Sequence, residues 1–223
     1  MKIGIMQPYF FPYIGYWQLI NTVDKFVILD DVNFIKRGWI HRNNIIAQGR
    51  PEQINVCIEK SSRNKLIREL SLSEEHNWKI KLIRKIKHTY SKAPYYHDVE
   101  KLVSDIILTD ARNLSSFLFN SICNIAELLD IRAELVPSSS IYPKGELKGQ
   151  ERIIDICVRE GADVYINPIG GKLLYNKDRF RESNLELNFI QMNDDNPSSS
   201  ILDVLMKNTL QDISLMMERY KLC

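Results

Sequence analysis

One-sided charge, paired cysteines, histidine clusters and long apolar runs are all scarce in this chain, and each scarcity removes a class of function. Thirty lysines and arginines nearly balance 28 aspartates and glutamates, for a formal net charge of +2. That leaves no electrostatic case for DNA or RNA, although local basic clusters can still hold phosphates. The four cysteines, Cys57, Cys123, Cys157 and Cys223, form no C-x-x-C pair. Cys57, Cys123 and Cys157 lie in apolar surroundings, so buried free thiols and a reduced, cytoplasmic compartment are expected. His41, His76, His88 and His97 have no metal-ligand spacing, and no zinc or other metal site is expected. No apolar run approaches the roughly 20 residues of a membrane span. The opening residues do not read as a signal peptide, because a charged segment, a long apolar stretch and a small-residue cleavage site are all missing. What remains is ordinary globular composition, 44% hydrophobic and 26% charged over 223 residues. This suits one large domain, or a core with an inserted subdomain.

Periodicity divides the chain. Strand-like runs rich in Ile, Val, Leu or Phe cover 2–6, 25–29, 53–58, 132–136, 163–166 and 185–191. Helical spacing covers 16–23, 78–89, 99–108, 114–129, 150–160 and 201–220. The alternation predicts an α/β fold with a largely parallel sheet, residues 66–130 forming a helical insertion or lid, and a C-terminal helix. Ser73 ahead of Glu74 and Glu75 marks a helix start, and Asp110 is placed to cap a helix beginning near Ala111. Gly161 should end a helix in the left-handed conformation, and Asn196-Pro197 marks a turn before the last helix.

In open α/β sheets ligands bind at the carboxyl ends of the strands, and the unusual residues fall there. The first strand runs into "QPYFFPYIGY", where Pro8 and Pro12 fix the backbone and Gly15 allows close approach. Gln7, Pro8, Tyr13, Gly15 and Tyr16 are the expected ligand contacts, with Phe10 and Phe11 in the core. The second strand ends in Asp30 and Asp31; one is expected to bind a hydroxyl, an amine or Mg²⁺, the other to cap a turn. "FIKRGWIHRN" follows, with Lys36, Arg37 and Arg42 around Trp39 and Asn43 beside them, a combination suited to an anion. "HTYSKAPYY" offers His88 and Tyr90 on a possible lid. "NPIGGKLLY" places Asn167, Gly170, Gly171 and Lys172 after another strand, where adjacent glycines can turn backbone amides toward an anion. The loop bearing Lys144, Lys148 and Arg152 reads as solvated charge.

Four of these stretches, "MQPYFFPYIGYWQLI", "DDVNFIKRGWIHRN", "YSKAPYY" and "YINPIGGKLLY", resemble the WbqC-like protein family over essentially the whole chain. The resemblance implies an association with bacterial O-antigen and related surface polysaccharides, and a transferase for which glycine is one implied group. The turn after the first strand is also similar to that of nucleotidylyltransferases and pantothenate synthetases, which implies a Rossmann-like sheet. Those enzymes hold ATP phosphates with a His-x-Gly-His turn; here "YIGY" stands in its place, with Tyr13 and Tyr16 at the histidine positions. Tyrosine is neutral near pH 7 and supplies no imidazolium, which weakens the implied ATP and Mg²⁺. On this reading a small amino acid is joined to a sugar by an amide. Asp30 or His88 orients or deprotonates the amine, and Lys36, Arg37 and Arg42 hold a carboxylate or sugar-nucleotide phosphates. Alternatives are a transferase with a pre-activated donor such as aminoacyl-tRNA or acyl-CoA, a non-catalytic nucleotide-sugar binding module, and an assembly scaffold.

Overall fold

Residues Lys2–Met6 form β1, whose apolar side chains alternate between two buried faces. Ile3 and Ile5 belong to one core cluster, while Gly4 lies under Leu19 and Phe26 of the other. The structure, a computed structural model, describes residues 1–59, 64–75, 77–195, 197 and 199–223. His76 and Asn196, named above, lie outside the described residues. The chain continues with α1 (Ile14–Thr22), β2 (Lys25–Ile28), β3 (Arg42–Ala47), β4 (Arg50–Asn55), α2 (Asn77–Tyr90), α3 (Tyr96–Leu108) and α4 (Leu114–Leu128). Then follow β5 (Glu134–Val136), α5 (Gly149–Arg159), β6 (Val164–Pro168), α6 (Lys177–Arg181), β7 (Glu186–Met192), α7 (Ile201–Lys207), α8 (Leu210–Met217) and β8 (Tyr220–Leu222). Short 3-10 turns cover Ile67–Glu69, Ser139–Ile141 and Ile169–Leu174.

The main sheet has six strands in the order β5-β2-β1-β6-β7-β8. The first five are parallel, and β8 returns antiparallel to β7. From β1 the chain winds outward through β2 to β5, then resumes on the other side of β1 with β6 and β7. This Rossmann-like order creates a topological switch point between β1 and β6, where a crevice opens at the carboxyl edge. One face of the sheet packs on α1 and, beyond it, on α7, α8 and the buried sides of α2, α3 and α4. The other packs on α5 and α6 through Ile153, Ile156, Cys157 and Phe180. Residues 66–130 carry α2–α4, and their buried side chains join the same cluster as α1.

Local chemistry explains most boundaries and several departures. Gly161 follows α5 at φ 65°, as expected of a left-handed helix stop. Asp110 does not cap α4; Asn113 does, its side chain accepting from the Ser116 N–H at 3.2 Å. The Ser73 hydroxyl accepts from the Glu75 N–H at 3.3 Å, ahead of an α2 that starts at Asn77. The strand expected over 53–58 lies instead over Arg50–Asn55, paired with β3 in a separate two-stranded sheet. Its two-residue turn, Gln48-Gly49, has φ 50° and 78°, the sign that hairpin turns require. The helix expected over 201–220 is two helices and a strand. Thr209 and Asp212 form a capping box that starts α8 afresh, and residues 220–222 complete the sheet as β8.

A charged cluster joins the start of β2 to the end of α5. Lys25 Nζ lies 2.6 Å from Glu160 and 3.0 Å from Glu134, and the Tyr142 hydroxyl donates to Glu160 at 2.6 Å. Burial acts to raise the Glu160 carboxyl pKa, but the bonds from Lys25 and Tyr142 outweigh it and hold the pKa below its ordinary value. A depressed folded-state value stabilises the fold above the unfolded-state pKa, and that stability is lost as the pH falls through the folded value. Glu160→Gln should therefore cost about 1.5–3 kcal/mol in urea unfolding at pH 7. The deficit against the parent should shrink below about pH 4.

Candidate functional site

The turn between β1 and α1 is built on a strained residue. Phe11 has φ 44°, rare for a bulky side chain, yet its ring and that of Phe10 are fully buried 4.5 Å apart. Buried donors from two distant segments hold it. Asn43 Nδ2 donates to the carbonyls of Phe10 at 3.0 Å and Phe11 at 2.7 Å, and Ser200 Oγ donates to the Phe11 carbonyl at 2.9 Å. The Tyr16 hydroxyl, fully buried, donates to the Gln7 carbonyl at 3.1 Å. Asn43 and Tyr16, expected to contact ligand, thus bond to the turn itself, and Pro8 is buried. A Cβ on Gly15 would lie 2.4 Å from the Tyr13 ring, so glycine is what lets that ring fold over the start of α1.

The turn forms one wall of a cleft of about 680 Å³ at the switch point. Its floor is the ends of β1 and β6, at Ile5, Met6, Asn167 and Pro168, with Leu29 and Met192 from the flanking strands. Gln7, Tyr9 and Tyr13 line it from the turn, Ile35 and Trp39 from the loop after β2, and Gly170, Gly171, Leu174 and Tyr175 from the segment after β6. Tyr165 lies beneath, fully buried and stacked on Phe180 with centroids 5.6 Å apart. Its hydroxyl donates to Asn167 Oδ1 at 2.9 Å, and Asn167 Nδ2 donates to the Pro168 carbonyl at 3.0 Å. Six of the residues expected from the sequence therefore meet here: Gln7, Tyr13, Trp39, Asn167, Gly170 and Gly171.

Others do not line this cleft. Lys36, Arg37 and Lys172 are exposed on the segments that border it. Arg42 is spent on its own loop, donating from Nε to the Gly38 carbonyl at 3.0 Å and from Nη2 to the Arg37 carbonyl. His88 is exposed on α2, and Tyr90, the last residue of α2, donates its buried hydroxyl to Asp203 at 2.7 Å. Tyr9, Leu174, Tyr175 and Met192 were not singled out from sequence. Only the aromatic density of the first turn and the second tyrosine of "YINPIGGKLLY" pointed to any of them.

Asp30 and Asp31 do not line this cleft; both are buried in a hydrogen-bonded network, and Asp30 borders a second, smaller cavity of about 340 Å³ with Ser115, Ser138 and Ser140. Asp30 accepts from Ser115 at 2.8 Å, Ser138 at 2.6 Å and Ser139 at 3.3 Å. Asp31 accepts from Ser139 at 2.7 Å and pairs with Arg152 Nη2 at 2.9 Å. That guanidinium, 2% exposed, also donates to the carbonyls of Ser139 and Tyr142 at 2.8 and 2.9 Å. Lys144 donates to the Asp31 carbonyl at 2.5 Å. Arg152 and Lys144, expected on a solvated loop, are thus structural partners of the second strand's end.

Among the described residues, those lining the cleft carry no carboxylate, imidazole, ammonium or guanidinium. Its titratable groups are phenols. Burial raises the pKa of Tyr13, and burial together with the adjacent Tyr13 raises that of Tyr9. Burial raises Tyr175 against an opposing bond from Tyr165. All three stay neutral at physiological pH and act as hydrogen-bond donors. Ring faces and amide side chains around an apolar floor suit a ring-bearing ligand rich in hydrogen-bonding groups. Among the described residues no group of three or more His, Cys, Asp or Glu side chains is placed to hold a metal ion. All four cysteines are free, and burial pushes the Cys157 thiol up to about 12.

Two outcomes follow from these contacts. Arg152→Met, which strands the Asp31 carboxylate in the interior, should cost about 3–5 kcal/mol in urea unfolding. A Cβ on Gly171 would meet Asn167 Nδ2 at 2.0 Å, whereas one on Gly170 would meet nothing within 4 Å. Gly171→Ala should thus destabilise by about 1–3 kcal/mol through the displaced amide, and Gly170→Ala should stay within about 0.5 kcal/mol of the parent.

Comparison with known proteins places this cleft in context. The uncharacterized protein Rv1507c of Mycobacterium tuberculosis is 30% identical over 171 residues, covering 74% of this chain and 71% of that protein. No solved structure matches the chain. The profile described as the WbqC-like protein family matches residues 7–215, from the first cleft glutamine to the last long helix, and the chain belongs to that family.

Proposed function

We propose that the chain acts in bacterial surface-polysaccharide biosynthesis, as a transferase that joins a small acyl or aminoacyl group, glycyl being the simplest, to an amino sugar seated in the switch-point cleft. The observation that carries this reading is the cleft's lining. Tyr9, Tyr13, Trp39 and Tyr175 offer ring faces for the apolar side of a sugar, Gln7 offers its amide for the hydroxyls, and Asn167 retains one N–H and one oxygen lone pair beyond its bonds to Pro168 and Tyr165. Lys36, Arg37 and Lys172, on the bordering segments, stand where the phosphates of a sugar nucleotide would leave the cleft.

With no carboxylate or imidazole lining the cleft, a donor activated before it binds is favoured over activation by ATP in place. The free amine of the sugar attacks the carbonyl carbon of the activated ester. The new C–N bond forms, the bond to the carrier breaks (C–O for a tRNA ester, C–S for a CoA thioester), and the proton lost by nitrogen leaves with the carrier's oxygen or sulfur. Neutral tyrosine hydroxyls supply hydrogen bonds to the carbonyl oxygen as charge develops there. The same uncharged lining favours, as a second reading, a nucleotide-sugar binding module without catalysis.

A panel of nucleotide-linked amino sugars tests both. Binding should raise the Tm of the parent, and Asn167→Ala should weaken it roughly tenfold. Mass spectrometry with a glycyl-tRNA or acyl-CoA donor should then detect the amide product. Binding without product across the donors supports the module. Release of AMP and pyrophosphate from ATP and glycine would show activation in place instead, and failure of every sugar to bind would remove the cleft reading.

A further inference from the structure

The rim of the cleft has a character that a soluble sugar does not require. Leu173 and Leu174 are 99% and 72% exposed, the two most exposed large apolar side chains among the described residues. Opposite them, Ile35 and Trp39 are 53% and 50% exposed. Ile35, Trp39 and Leu174 all line the same cleft, so the two segments face each other across one mouth and present their apolar side chains together. Cations alternate with them: Lys36 and Arg37 lie between Ile35 and Trp39, and Lys172 precedes Leu173. All three are exposed, and among the described residues no side-chain partner holds any of them. Neither segment, 32–43 nor 167–176, contains an aspartate or glutamate.

Apolar side chains interleaved with unpaired cations, on two short loops with no acidic residue, match the boundary of an anionic bilayer. Leucine, isoleucine and tryptophan seat among the upper acyl chains while lysine and arginine reach the headgroup phosphates. We infer that this rim docks the protein on an anionic lipid surface, with the mouth of the cleft turned toward the headgroups. The attachment is peripheral, since no described helix is long and apolar enough to cross a membrane. Tryptophan at position 39 suits the headgroup level, where its ring is half in the apolar layer. Leu173 and the three cations stand outside the lining, whereas Ile35, Trp39 and Leu174 belong to both rim and lining, so the titration is made without a cleft ligand and reads the rim alone.

The protein carries its own reporter. Trp17 and Trp78 are 0% and 7% exposed, so a change in tryptophan emission on docking belongs chiefly to Trp39. The full chain is titrated with vesicles of phosphatidylglycerol and phosphatidylcholine, and with phosphatidylcholine alone. The expected result is a blue shift and co-sedimentation with the anionic vesicles, weakened by salt, and little binding to the neutral ones. Leu173→Glu should reduce that binding roughly tenfold. Removing Lys36 and Arg37 together as alanines should reduce it about 25-fold, near fivefold for each cation. Both variants alter exposed positions, and an unchanged Tm confirms that they fold. Absence of binding by the parent, equal binding to neutral vesicles, or binding unaffected by both variants would overturn the inference. So would a lipid-free, concentration-dependent blue shift with sedimentation as a dimer, which would assign the rim to a second copy of the chain.

Discussion

The left-handed backbone of Phe11 is the constraint from which the site follows. A bulky residue holds φ 44° only when its surroundings over-determine it, and here two ring burials and two buried donors do so. The donors come from Asn43 in β3 and Ser200 at the start of α7, so two distant parts of the chain lock one carbonyl. That lock directs the chain from β1 across the switch point before α1 begins. Gln7, Tyr9 and Tyr13 are left standing along one wall of the cleft. The aromatic density of the turn thus divides in two: Phe10, Phe11, Tyr16 and Trp17 anchor it, and Tyr9 and Tyr13 face outward.

The carboxyl edge of the sheet is divided in the same way. On the side of β1, β6 and β7 it opens into an uncharged, ring-lined cleft. On the side of β2 and β5 it closes over Asp30, Asp31 and Arg152. A carboxylate is costly to bury without partners, and here every carboxylate oxygen of the two aspartates accepts at least one bond. The network ties together β2, the Ser138–Ser140 segment and α5. Rigid floors on both sides leave the bordering loops, with their exposed leucines, tryptophan and cations, as the parts able to meet another surface.

Much of the framework was legible from spacing. The five parallel strands, α1 to α5 and the helix stop at Gly161 all follow from patterns within a few residues, where local geometry suffices. The β3–β4 hairpin was not legible, because its turn places Gln48 where asparagine or aspartate usually accepts positive φ. Nor was the break between α7 and α8, since Thr209 and Asp212 lie inside an apolar pattern that continues on both sides. Of the residues lining the cleft, Gln7, Tyr13, Trp39, Asn167, Gly170 and Gly171 stood out in the sequence by their place after strands. Arg152, at the end of the polar run "KGELKGQER", looked solvated and is almost fully buried.

Strand and helix periods, the parallel architecture and the location of a site at the strand ends are written in neighbouring residues, because side-chain direction repeats every two or 3.6 positions. The use made of each polar residue there is not, because it depends on partners far along the chain. Asp30 meets Ser138 across 108 residues and Phe11 meets Ser200 across 189. A carboxylate, amide or guanidinium has the same appearance in sequence whether it awaits a ligand or already has its bonds. Only packing decides which donors reach it, and therefore which groups remain free to act.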